Sequence, residues 1–573
     1  MKLKGIAASS GVVSGKVFKL IEQKLEIDTT INLKQDAAKM FLQFEKASQA
    51  VSDYLDGLYK EMLSWDSEQA GIFSALSFIA IDPLVKESVK TFIFEKGYTL
   101  SNAISSSFDE TINTIKAIND PYMLERIPDI LDIKKKIIFN IQGIKEIDLT
   151  KINEEVIIVA HDLSPSQTVQ LDKKFVKGFA TEIGGPTSHT AIMARTLNIP
   201  SVVGITGLLD KVGHDDTMTL DGIDGEVIIN PSKEEIKAYD AKGKKYLEWL
   251  ETLKKFKGKK SLTKDKHEVE LAANIGGVGE VDNVIENDAQ AVGLFRSEFL
   301  YMDNDHWPTE EEQFNAYKIV LQKMNGKRVI IRTLDIGGDK QLKYYDFPKE
   351  DNPFLGYRAI RLCLKETEIF KTQLRALIRA SYFGKLGIMI PMITHVKEFL
   401  KAKEIFTETY NELKKEKIQI GKLKDIEFGL MIETPAAAIL VDKFTKYADF
   451  VSIGTNDLIQ YSMAADRMNE NVSNLYQPLN PSILRFIKHT IDGAHENGKW
   501  AGMCGEMAGD KNAVPLLIGL GLDEFSMSAS KVLQTRELIS RFSFKKLQSV
   551  AAKALELDSQ EEVKELLKKE GLI

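Results

Sequence analysis

The chain has 573 residues, enough for roughly three or four domains with sizeable cores. Its formal net charge is −7, with 76 Lys and Arg against 83 Asp and Glu spread along the chain, so it presents no basic field for nucleic acid or an anionic membrane. Only two cysteines occur, Cys363 and Cys504. The opening "MKLKGIAASSG" lacks the apolar centre of a secretory signal, and no apolar run reaches about 18 residues, so a soluble cytoplasmic protein is expected.

The first segment, "GIAASSGVVSGKVFKL", mixes glycine with β-branched residues and predicts short strands with tight turns. From about Leu33 to 145, apolar residues recur at three- and four-residue spacing, which predicts a helical subdomain. Strand texture then returns in "EEVIIVAHDLSPS", "SVVGITG" and "TLDGIDGEVIINP". The simplest architecture inserts the helical segment 33–145 into an α/β domain built from 1–22 and 148–231. The charged stretch 232–260 reads as a helical linker.

Beyond it, eight apolar runs alternate with helical segments over about 310 residues, the count and length of a (β/α)8 TIM barrel. The runs are "VELAANI", "AVGLF", "RVIIRTL", "GIMIPMI", "EFGLMIE", "DFVSIG", "KWAGM" and "DEFSM". The fold class is thus multidomain α/β, an N-terminal α/β domain with an inserted helical subdomain followed by a barrel over 261–573.

Reacting groups of such a barrel sit at the carboxyl ends of its strands. Here the runs hand over to Arg296, Arg332, Asp335, Glu433, Asn456 with Asp457, and Cys504. Two carboxylates on separate loops, Glu433 and Asp457, suit Mg²⁺, which takes few protein carboxylates and leaves its other positions to substrate oxygens and water. Arg296, Arg332, Arg358 and Arg467 offer planar, permanently charged donors for a phosphate or carboxylate. Together they describe a site for a small phosphorylated acid. A cysteine after an apolar strand is commonly packed core, but Cys504 stands among glycines, which leaves a general-acid role equally open.

In "GFATEIGGPTSHTAIMARTLNIP", two glycines, a proline and hydroxyl residues precede a helix that begins near His189. A helix N-terminus disfavours imidazolium and welcomes an anion, so a histidine there is a candidate nucleophile whose phosphoryl adduct the backbone N–H groups would hold. Gly184 and Gly185 allow close backbone approach, and Thr187, Ser188 and Thr190 offer caps or hydroxyl contacts. The bland alternative is a histidine that merely decorates a helix start.

"GGPTSHTAIMAR" and "DFVSIGTNDLIQYSMAADR" resemble the two signatures of the phosphoenolpyruvate-utilising enzymes. Further similarity runs through "KGIAASSGVVSGK", "DLSPSQT", "GLFRSEFLYM", "NPFLGYRAIR" and "GMCGEMAGD". In order and length the chain is similar to the enzyme I family of the phosphotransferase system, the phosphoenolpyruvate–protein phosphotransferases. That resemblance implies that His189 takes the phosphoryl group of phosphoenolpyruvate at Nε2, with Thr168 of "SPSQT" hydrogen-bonding the ring. It implies substrate binding by Arg296, Arg332, Arg358, Asn456 and Arg467, Mg²⁺ on Glu433 and Asp457, and protonation of the enolate carbon by Cys504 to give pyruvate. The helical subdomain would dock the carrier protein HPr, whose histidine receives the phosphoryl group, and the barrels would join a homodimer. Since His189 and the arginines lie in different domains, the linker would serve as the lever of a domain movement.

Leu76 stands where the family often has histidine, so no contact is carried over from that position. Pyruvate phosphate dikinases and phosphoenolpyruvate synthases share these modules but need a nucleotide-binding domain, for which the residues before His189 leave no room. A binding protein that had lost turnover would lack one of His189, Glu433, Asp457 or Cys504, and all four are present.

Overall fold

The computed structural model describes all residues except 22, 24, 32–35, 64–66, 119–126, 145, 146, 186, 187, 198, 303, 339, 341, 343 and 468. The side chains at 61–63, 67–72, 165, 169, 189, 192, 196 and 470 also lie outside the description. The chain divides into two compact units, Met1–Glu251 and Thr252–Ile573.

The first unit holds an eight-stranded sheet of β1 (Lys2–Lys4), β2 (Ile6–Ser9), β3 (Val12–Lys19), β4 (Val156–Ala160), β5 (Val176–Thr181), β6 (Ser201–Val203), β7 (Thr217–Asp221) and β8 (Glu226–Ile229), in the order β1-β8-β7-β3-β4-β5-β6-β2. Strands β3 to β6 run parallel, while β7, β8, β1 and β2 pair antiparallel. The sequence "VIIVA" of β4 is buried at every position because both faces of the strand are covered. Its alternate side chains go to different cores: Val156, Ile158 and Ala160 join the helices, and Ile157 and Val159 join Val17, Val202 and Leu220.

Between β3 and β4 stand α1 (Ala37–Leu63), α2 (Ser67–Ala80), α3 (Pro83–Phe94), α4 (Leu100–Ile118) and α5 (Ile127–Gln142). Helix α3 begins where Asp82 accepts from the backbone N–H of Leu84 ahead of Pro83, a residue suited to a first helical turn. Leu76 lies in the helical core with Leu55, Phe73 and Ile104, so an apolar side chain is satisfied at this position.

Two helices matter for the site of this unit, α6 (Pro165–Val169) and α7 (His189–Leu197), which pack together. The charged stretch 232–260 contains α8 (Lys233–Lys254), whose first half is fastened to the first unit. Lys242 pairs with the buried Asp221, Tyr239 donates to Glu226 at 3.1 Å, and a side chain at Gly243 would collide with the carbonyl of Val12.

The second unit is a closed parallel barrel of β9 (Glu270–Ile275), β10 (Ala291–Arg296), β11 (Val329–Arg332), β12 (Leu386–Ile390), β13 (Glu427–Ile432), β14 (Phe450–Ile453), β15 (Trp500–Met503) and β16 (Glu524–Ser528). All eight apolar runs of the sequence are its strands. Residues such as Leu271, Val292, Ile331 and Phe428 join the core between strands and outer helices, while Leu294, Ile330, Met389, Met431 and Phe450 form a separate cluster with Cys504. Alternation along the strands then puts Arg332 two residues beyond Ile330 and Glu433 two beyond Met431, on the same inward face. Among the described residues, no helix is long and apolar enough to cross a membrane.

Candidate active site

At the carboxyl end of the barrel, charges are gathered in a buried network. Arg332 Nη2 donates to Glu298 Oε1 at 2.6 Å, and its Nη1 lies 3.1 Å from Asp335 Oδ2. Asp335 Oδ1 accepts from Arg358 Nη2 at 2.8 Å, and Lys340 approaches its other oxygen at 3.8 Å. Arg358 Nη2 also stands 3.8 Å from Asp457 Oδ2, and Nη1 is 3.5 Å from the Tyr461 hydroxyl. Burial opposes charge on both arginines, but the carboxylates around them outweigh it and hold both firmly cationic. Burial likewise works against an ionised Asp335, yet Arg332, Lys340 and Arg358 hold it well below the usual carboxylate range.

Glu433 has the opposite balance. It is 1 % exposed, and burial, reinforced by Asp457 and Asp335, pushes its carboxyl up to about 8 despite the arginines. One of its oxygens accepts from the backbone N–H of Met392, a residue at φ 57°. Asp457 lies in the first turn of the helix Thr455–Met463, and its Oδ1 is buried with no hydrogen-bond partner among the described residues. The same holds for Arg332 Nε, Arg358 Nε and Thr455 Oγ1. Such groups are costly unless something else satisfies them, which marks the mouth as a place for a polar ligand.

Backbone geometry explains how Arg358 reaches this network. Gly337 adopts φ +110°, and a Cβ there would stand 2.6 Å from Arg358 Cβ, so the turn "DIGGDK" can close over Arg358 only with glycine at that point.

Cys504 follows β15 and is 4 % exposed, and burial pushes its thiol up to about 11. It packs in the apolar interior cluster, as the core reading expects, and follows the end of β15, the position the general-acid reading requires. Asn456 accepts from the backbone N–H of Glu506 at 3.2 Å, joining the loops after β14 and β15. Arg296 ends β10 with an exposed side chain, and Arg467 is partly buried, its backbone N–H donating to Gln460 at 3.2 Å. The structure thus brings Arg332, Arg358, Glu433 and Asp457 into one network, with Arg296, Asn456, Arg467 and Cys504 on strand ends and loops of the same barrel. Among the described residues, no three His, Cys, Asp or Glu side chains are grouped to hold a metal by themselves.

Glu298, Lys340 and Tyr461 were not singled out in the sequence, and Asp335 was noted without a role. Glu298 had a signal, two residues beyond Arg296 in "LFRSEF". Gln373 had none: within an amphipathic helix it is fully buried, donating to Ser297 Oγ at 3.0 Å and accepting from the Leu334 N–H at 2.9 Å.

In the first unit, His189 is the first residue of α7. Its side chain and Thr187 lie outside the described residues. Ser188 Oγ accepts from the Ala191 N–H at 3.3 Å, capping the helix, and donates to the Gly185 carbonyl at 2.9 Å. Thr190 Oγ1 donates to Asp162 at 2.9 Å. Gly184 has φ +113°, and a Cβ at Gly185 would meet no atom within 4 Å among the described residues. Thr168, on the adjoining α6, is buried, and its hydroxyl donates to the Ser164 carbonyl at 3.2 Å.

Three family descriptions match the chain: "PEP-utilising enzyme, N-terminal" over residues 4–126, "PEP-utilising enzyme, mobile domain" over 152–225 and "PEP-utilising enzyme, PEP-binding domain" over 250–544. A protein of Mycoplasma capricolum subsp. capricolum named phosphoenolpyruvate-protein phosphotransferase is 49% identical over 99% of this chain and 98% of its own length. Proteins of the same name from Bacillus subtilis, 48% identical over 98% of each chain, and Staphylococcus carnosus, 46% identical over 99% of this chain and 98% of its own, are similar throughout. Such identity over whole lengths places the chain in the phosphoenolpyruvate–protein phosphotransferase family of PEP-utilising enzymes.

Proposed function

We propose that the chain moves the phosphoryl group of phosphoenolpyruvate to Nε2 of its own His189 and then to a histidine of the carrier protein HPr, releasing pyruvate. The observation that carries the barrel's part is the set of buried polar atoms with no partner among the described residues, Arg332 Nε, Arg358 Nε and Asp457 Oδ1, beside arginines whose other nitrogens face Glu298, Asp335 and Tyr461. The two guanidinium N–H groups are preorganised donors that bind an anion with little rearrangement, and the carboxylate oxygen is an acceptor suited to a cation. Arg296, Arg332, Arg358, Asn456 and Arg467 bind the substrate's phosphate and carboxylate.

Mg²⁺ fits Glu433 and Asp457, because both are hard oxygen donors, one with a buried oxygen that no described group satisfies. When bound, it supplies charge neutralisation for the phosphate and enolate oxygens. His189 attacks phosphorus, so a P–N bond forms as the P–O bond to the enolate breaks. The Cys504 thiol, raised to about 11, keeps its proton at neutral pH and can give it to the enolate carbon, leaving a thiolate that recovers a proton from water. Thr168, on the helix packed against α7, bonds the imidazole.

In this reading residues 1–22 with 148–231 carry the phosphohistidine, 33–145 dock HPr, 232–260 link, and 261–573 bind phosphoenolpyruvate and join a homodimer in the cytoplasm. Incubation with labelled phosphoenolpyruvate and Mg²⁺ tests it. Mass spectrometry is expected to find the phosphoryl group on His189 and none on a folded His189→Ala variant; a stable phosphoryl group on another histidine would refute the assignment.

A further inference from the structure

The loop that carries Cys504 is held from both sides. Its backbone N–H donates to the Ile453 carbonyl of β14 at 3.1 Å. Pairing with β16 stops at Met503, opposite Phe525, so on that side the Cys504 carbonyl takes a side-chain donor instead. The donor is Asn274 Nδ2, at 3.0 Å, from the penultimate residue of β9, toward the barrel mouth. Asn274 is itself oriented: its Oδ1 accepts from Ser526 Oγ of β16 at 2.6 Å, and Ser526 is buried. Because the amide oxygen is committed to a hydroxyl, the NH₂ can only face the carbonyl. One residue further, a Cβ at Gly505 would stand 2.7 Å from the Thr455 backbone N, so glycine lets the loop press on the start of the Thr455–Met463 helix.

We infer that Asn274, aligned by Ser526, is a positioning residue for the thiol of Cys504. A thiol on a short side chain is placed chiefly by its backbone, and a proton given to carbon needs a short, directed approach. The thiol's contacts are a long one, 3.9 Å to the Ile453 carbonyl, and one with the Ser452 side chain, so the carbonyl clamp adds the backbone placement that these two do not supply. Without the amide, the Cys504 carbonyl loses its partner on the β16 side and the peptide is free to rotate. The S–H bond then no longer points where the enolate carbon accepts the proton, although the arginines and carboxylates stay in place. This inference rests on the reading of Cys504 as the acid.

The full chain with phosphoenolpyruvate, Mg²⁺ and HPr serves for the test. Asn274→Ala should lower kcat for pyruvate formation by about 10- to 100-fold, the loss typical of misplacing a reacting group by an ångström or so, with KM for phosphoenolpyruvate unchanged. Ser526→Ala, a change of one oxygen that spares the fold, should lower kcat less and in the same direction. In a Cys504→Ala background neither change should cost anything more. Alkylation of Cys504 by iodoacetamide, followed on its peptide, should change in rate in Asn274→Ala, a readout independent of the thiol's role. A slow Cys504→Ala beside a full-speed Asn274→Ala would overturn the inference alone, and so would a loss that repeats in full on top of Cys504→Ala. Full turnover in Cys504→Ala would sink the acid reading and this inference with it.

Discussion

A thiol pushed up to about 11 by burial is a poor nucleophile at neutral pH and a good place to keep a proton. Cys504→Ala is therefore expected to bind phosphoenolpyruvate normally but form pyruvate slowly, since the proposed metal ligands and the arginines remain; isothermal calorimetry for binding and a pyruvate assay for rate decide, and an unchanged rate returns Cys504 to a packing role. Glu433 supports a pH prediction of definite sign. Its folded-state carboxyl is raised to about 8, above the ordinary range of an unfolded chain, so the metal-free fold holds a proton the unfolded chain would release. The stability tied to that proton is full at acidic pH and is lost as pH rises through about 8. Thermal unfolding of the metal-free protein from pH 5 to 8.5 should show a decline that Glu433→Gln reduces. Since Mg²⁺ needs the carboxylate, its binding near neutral pH should release a proton, and Glu433→Gln and Asp457→Asn should shift the Mg²⁺ requirement to higher concentration. Titration curves identical to wild type would make both carboxylates structural.

At the scale of elements, the turn at Gly337 and Gly338 separates two effects of a side chain. Both glycines have positive φ, which costs an L-residue about 1–2 kcal/mol, but only at Gly337 would a Cβ strike Arg358; at Gly338 the nearest atom lies 3.6 Å away. Gly337→Ala is expected to raise KM for phosphoenolpyruvate as well as lower the melting temperature, whereas Gly338→Ala should lower the melting temperature alone. Equal KM values for the two variants would detach Arg358 from substrate binding. The same contrast shows what sequence makes legible. Eight short apolar runs betray eight strands because a parallel barrel buries both faces of each strand. The polar residues that end them were visible for the same reason: each interrupts an apolar run. Asn274 was hidden inside "VELAANI", where a single amide in an apolar run carries no sign of the carbonyl it will meet 230 residues later. Asp335 was legible as a strand-end residue but neither it nor Glu298 as a counter-charge of Arg332 and Arg358, since ion pairing across loops leaves no periodicity.

For the whole molecule, the division of the chain at Glu251 and Thr252 bears on how the labour is split. Helix α8 straddles that division, but its Lys242 and Tyr239 are spent on Asp221 and Glu226, and Gly243 lies against β3. Just past it, the Phe256 carbonyl accepts from Arg536 at 2.9 Å and the Gly258 N–H donates to Asp288 at 2.7 Å, both within the second unit. A fragment ending near 235 would lose the Lys242 pair and leave Asp221 buried without its cation, a costly state. One ending at 251 keeps it. The 1–251 fragment holds His189 and the helices proposed to dock HPr, yet none of the arginines, carboxylates or thiol of the barrel mouth. Transfer between two histidines exchanges like bonds and needs no barrel. The fragment should therefore accept a phosphoryl group from phosphorylated HPr and stay unmodified by phosphoenolpyruvate with Mg²⁺, while residues 252–573 should bind phosphoenolpyruvate without consuming it. Phosphoryl-transfer assays on the first fragment and calorimetry on the second measure these outcomes. A folded 1–251 fragment that labels itself from phosphoenolpyruvate, or that cannot exchange with phosphorylated HPr, would show that acceptor and substrate site are not divided in this way.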